Sequence, residues 1–135
     1  MSRFILLYLV TVPVFFLIDL VWLGVVARGF YGSQMGSLMA DPIVWWAALL
    51  FYLLSIAGII FFAVMPAIDA RSWTKALTLG AAFGFFTYMT YDLTNVATLQ
   101  GWSVRLAVVD IAWGTVLSAT VATLSYLLGT RVLGS

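Results

Sequence analysis

Tyr91-Asp92-Leu93-Thr94-Asn95 lies inside an apolar segment covering about residues 76–99. An ionisable side chain is costly inside such a segment and marks an inward face or a functional site. Two more acids, Asp19 and Asp110, sit inside apolar segments of their own. The expected fold is therefore all-α, an integral membrane four-helix bundle whose acids turn inward.

Composition supports this. The chain has 135 residues, of which 64% are hydrophobic and 8% charged, against roughly a quarter charged in soluble domains. The mean hydropathy is +1.14. One bundle fits this length, as a single domain over 1–135 with no separate soluble part. A net charge of +1 offers no electrostatic footprint for nucleic acid. Cysteine and histidine are absent. This excludes disulfides, thiol catalysis and metal sites built on those ligands, and any metal would need oxygen donors. Ionisable chemistry falls to Asp, Tyr, Lys and Arg.

Crossing the hydrocarbon core takes about 20 mostly apolar residues. Four stretches qualify, at about 4–27, 42–65, 76–99 and 104–128. The first is too long for the ~7–15-residue core of a secretory signal and reads as a retained span. Pro13 should kink it, and Pro66 should end the second. Arg3, Arg71, Lys75 and Arg131 fall on one side of the membrane, with Arg28 and Arg105 on the other. The richer side should be cytoplasmic, which puts both termini inside. The connection from Arg28 to Asp41 reads as a loop on the headgroups, where Tyr31, Met35, Leu38 and Met39 also fit a short interfacial helix. Asp19-Leu20 followed by Gly29-Phe30, and Asp92-Leu93 followed by Gly101-Trp102, read as a short parallel repeat of two helix pairs.

Small residues predict contacts. Gly80 and Gly84 line one face of the third helix, and Gly114, Ser118 and Ala122 one face of the fourth. Such rows let backbones approach closely in lipid. The short link around Gly101-Trp102-Ser103 makes these helices antiparallel neighbours.

At 1.5 Å per residue, Asp19 lies about 13 Å, Asp92 about 15 Å and Asp110 about 8 Å from the outer edge. All three should occupy the outer half of the bundle. Residues three or four apart share a helix face. Tyr88 and Asn95 therefore flank Asp92, Trp22 follows Asp19, and Trp113 follows Asp110. An indole can wall a cavity and donate its N–H to a carboxylate. Neither Arg28 nor Arg105 stands at pairing distance along a helix from a core acid. Three clustered carboxylates cannot all stay ionised at low dielectric, so some carry protons or a cation shares the site.

Three readings compete. The acids can be protonated clasps between helices, a binding or transport site, or part of a lipid-directed catalyst. Phe15, Phe16, Phe61, Phe62, Phe85 and Phe86 read as core or lipid-facing filler.

Asp-Leu-Val-Trp-Leu-Gly (19–24), Tyr-Asp-Leu-Thr-Asn-Val-Ala-Thr-Leu (91–99) and Asp-Ile-Ala-Trp-Gly (110–114) resemble the signature stretches of an uncharacterised domain-of-unknown-function family of small four-helix bacterial membrane proteins. The resemblance spans essentially the whole chain. It implies the four-helix fold and a bacterial inner-membrane location, and it implies no activity.

The leading expectation is an acidic outer-half cavity that binds or transports a small cationic or polar ligand. Asp92 and Asn95 would be its centre, Asp19 and Asp110 its other carboxylates, and Tyr88, Trp22 and Trp113 its walls. The alternatives are an accessory subunit of a larger membrane complex and a metal-assisted enzyme acting on a lipid or isoprenoid. The expected partners are the bilayer, the ligand, and further copies of the chain or a larger complex.

Overall fold

In lipid, backbone N–H and C=O groups must pair within their own segment, so apolar stretches of this length fold as helices. The computed structural model describes residues 2–22, 24 and 44–133. Four helices make up these residues: α1 (Ser2–Val21), α2 (Trp45–Ala70), α3 (Trp73–Thr98) and α4 (Val104–Leu133). The connection from Arg28 to Asp41, and with it the Gly29-Phe30 pair of the expected repeat, falls outside the described residues.

Helix α2 runs past Pro66, where the sequence predicts an end. Proline lacks the N–H for the preceding turn, and its ring presses on the carbonyl four residues earlier. The helix widens into one π turn at Ile60–Val64 and then resumes α geometry over Met65–Ala70. The stop comes at Arg71, which adopts the left-handed conformation at φ 54°. There the Arg71 N–H donates to Ile68 and the Ser72 N–H to Ala67. Ser72 then caps α3 by accepting from the Lys75 N–H at 3.1 Å. Gly101, at φ 85°, makes the turn into α4, and Ser103 caps that helix by accepting from the Leu106 N–H at 2.9 Å.

Among the described residues, three helices are long and apolar enough to cross a membrane: α1 over Arg3–Val21, α2 and α4. The fourth expected span, on α3, falls short in hydropathy, for it carries Asp92, two tyrosines and several threonines. Four of those threonines bond their own helix. Thr78, Thr87, Thr90 and Thr98 each donate to the carbonyl four residues back, at 2.7–2.8 Å. This local bonding satisfies the hydroxyl without a partner helix.

Helices α3 and α4 form the closest seam. A Cβ on Gly80 would sit 2.7 Å from the Ala122 methyl, and one on Gly84 would sit 2.6 Å from the Ser118 hydroxyl and overlap the Gly114 carbonyl. A Cβ on Gly114 would overlap the Tyr88 ring. The small-residue rows therefore meet as predicted, and Tyr88 occupies the space that Gly114 leaves.

Leu7 and Phe15 of α1, Ile56, Ile59, Ile60 and Val64 of α2, and Leu117 and Val121 of α4 make the core. Thr11 of α1 donates to the Ser125 hydroxyl of α4 at 2.9 Å, fully buried. At the end holding both described chain ends, Arg3 pairs with Asp69 at 2.9 Å, and Leu7 packs on Gly129. Phe15 is buried, whereas Phe61, Phe62, Phe85 and Phe86 lie on the outside with Leu9, Leu17, Leu49 and Val116. An exterior this apolar belongs against hydrocarbon.

Candidate functional site

The end of the bundle away from the described chain ends holds a cavity of about 590 Å³. All four helices supply its wall. Asp19 and Trp22 come from the end of the first span, and Ala47, Ala48, Phe51 and Tyr52 from α2. Thr87, Tyr88 and Tyr91 come from α3, Trp102 from the turn, and Asp110 and Trp113 from α4.

Asp19 is buried and held from two sides. The Trp113 indole N–H donates to its carboxylate at 3.3 Å, and the Tyr52 hydroxyl is its second hydrogen-bond partner. Helix spacing assigns each indole to the acid one turn before it. The structure crosses that assignment, because Trp113 serves Asp19 on the neighbouring helix. The Trp22 and Trp113 rings stack face to face, with centroids 4.3 Å apart and planes 6° from parallel. The same two indoles, with Leu17, Ile18 and Val21, also line an apolar groove of about 370 Å³. The stacked indoles thus border both the acidic cavity and an apolar groove.

Asp92 stands elsewhere. It is fully buried, and it is absent from the cavity wall. Neither of its oxygens finds an N–H or O–H donor in hydrogen-bond geometry among the described residues. The Trp102 indole nitrogen lies beside it but also misses that geometry. The seam explains what faces it. Gly80 meets Ala122, Gly84 meets Ser118, and Tyr88 meets Gly114. Each step of four along α3 is matched by a step of four back along α4, and the next pair in that register is Asp92 with Asp110. The two carboxyls are within hydrogen-bonding reach of each other. Asn95, one turn further on, bonds the Tyr91 side chain and also lies off the cavity wall.

The structure therefore brings Asp19, Trp22, Tyr88, Asp110 and Trp113 around one cavity. It sets Asp92 behind the wall and Asn95 beside it, so the cavity centres on Asp19 and Asp110. The three acids do not converge on one point, and no group of three acidic side chains among the described residues is placed to hold a metal ion. The aromatic residues Phe51, Tyr52, Tyr91 and Trp102 complete the wall. Tyr52 had a sequence signal: it and Ser55 are the only hydroxyls in an otherwise apolar 42–65 stretch. Trp102 stands edge-on to Tyr91, with ring centroids 5.7 Å apart.

No curated protein and no solved structure matches the chain. The family model described as "Predicted membrane protein (DUF2177)" matches residues 4–127, nearly the whole length, and the protein belongs to that family.

Proposed function

We propose that the cavity binds a small organic cation, such as a quaternary ammonium or an alkylamine, and serves its recognition or movement across a bacterial inner membrane. One observation carries the reading. Aromatic rings and two carboxylates line the cavity, and no lysine or arginine among the described residues does. Ring faces attract a cation by about 0.5–2 kcal/mol, more when water is excluded. A carboxylate supplies the counter-charge that a low-dielectric site requires. Asp19 suits that role, since two donors from other helices orient its carboxyl.

Orientation belongs to the same proposal. All four helices cross the bilayer, both termini are cytoplasmic, and the cavity opens in the outer half. The excess of Arg and Lys at the end holding Arg3, Arg71, Lys75 and Arg131 supports this. The apolar groove beside the indoles supports a second reading, in which the ligand carries an acyl or isoprenoid chain. Mass spectrometry showing a co-purified lipid that is lost on Trp22→Ala would favour it.

The test of the first reading is thermal unfolding of detergent-solubilised wild type and Asp19→Asn in choline. A ligand at a hundredfold excess over its dissociation constant stabilises by ~2.7 kcal/mol. A shift in wild type that disappears in Asp19→Asn is the expected result. An equal shift in both proteins, or none in either, would sink it.

A further inference from the structure

Asp92 has no place in the cation cavity, and burying it is costly. A fully buried carboxylate without a donor is unfavourable unless it is neutralised or paired. Its oxygens find no N–H or O–H donor among the described residues. What the helix register sets against it is a second carboxyl, Asp110, one turn beyond the Tyr88–Gly114 contact. Two carboxyls reach hydrogen-bonding distance when one carries a proton that the other accepts. The small-residue seam holds the two helices close and keeps the two acids opposite one another.

We infer that Asp92 and Asp110 hold one proton between them, forming a proton-binding site that a cation entering the cavity discharges. Asp110 joins the two compartments. Its carboxyl meets Asp92 on one side and lines the cavity on the other. When a cation docks against Asp110 it takes the counter-charge, and the shared proton leaves to water, one proton out for one positive charge in. The titratable groups that share the cavity wall with Asp110 are Asp19 on α1, Tyr52 on α2, and Tyr88 and Tyr91 on α3. Arg105, on α4, is exposed. The coupling rests on the cation reading above. The shared proton does not.

Two measurements separate these claims. The first is the infrared C=O band of a protonated carboxyl in ligand-free protein across pH. Wild type shows this band, Asp92→Asn loses it, and Asp110→Asn moves its titration midpoint. Absence of the band from wild type near pH 7, where ordinary carboxyls are ionised, overturns the shared proton. So does an unmoved midpoint in Asp110→Asn. The wild-type arm needs no variant to fold. The second is proton release into weakly buffered solution on adding choline. About one proton per bound choline is expected from wild type. A choline-induced thermal shift with no proton release overturns the coupling and leaves the cation reading standing. No thermal shift with the carboxyl band present overturns the cation reading, and the coupling with it, and leaves the proton site standing.

Discussion

Asp19 shows how a costly side chain is kept in place. Trp113 and Tyr52 reach it from two other helices, so its position reports the packing of α1, α2 and α4 together. A hydrogen bond to a charged group is worth about 1.5–3 kcal/mol. Trp113→Phe keeps a ring against Trp22 but removes the donor together with part of the stacked surface. It should lower stability by about that amount and weaken the response to choline, as read by thermal unfolding. Unchanged stability would mean that Tyr52 alone holds Asp19. The sequence shows that Asp19, Asp110, Trp22 and Trp113 belong together, because acids and indoles recur at helical spacing. It does not show which indole serves which acid. That is settled across helices, and one helix's periodicity is silent about its neighbour's rotation. Asp92 illustrates the same limit. Its depth is legible, but its displacement from the cavity follows from its facing α4 along the seam.

At the scale of elements, the α3–α4 seam was the most legible feature. A short turn fixes antiparallel neighbours, and rows of glycine, serine and alanine say which faces meet. With Tyr88 opposite Gly114, the register could have been carried one turn further to Asp92 opposite Asp110. The end of α2 was less legible, because Pro66 reads as a stop and the π turn at Ile60–Val64 absorbs it. Hydropathy sets α3 below the other helices, and it scores a threonine hydroxyl as unsatisfied even when it bonds its own helix. Two substitutions test the seam. Gly84→Ala places a methyl against the Gly114 carbonyl, and Gly114→Leu drives into the Tyr88 ring. Each should cost about 1–3 kcal/mol, the usual penalty of overpacking. Gly24, with nothing among the described residues within 4 Å of its missing Cβ, is the control. Equal melting of Gly84→Ala and wild type in detergent would show that the seam is looser than described.

At the scale of the whole molecule, the bundle is polarised. One end carries both described chain ends and the Arg3–Asp69 pair, and the other carries the acids and indoles. The chain has no cysteine, so Gln100→Cys in the α3–α4 turn introduces the sole thiol. It should react with a membrane-impermeant maleimide in intact cells. Reaction only after lysis would put the cavity on the cytoplasmic side. The central claim, that this end recognises positive charge, is tested most directly by calorimetric titration of the purified protein. Choline would be compared with its uncharged isostere, in which a quaternary carbon replaces the nitrogen. The two have the same shape, so an apolar pocket alone would accept both. Saturable binding of choline and none of the isostere is the predicted result. Equal binding of the two, or binding of neither, would contradict it.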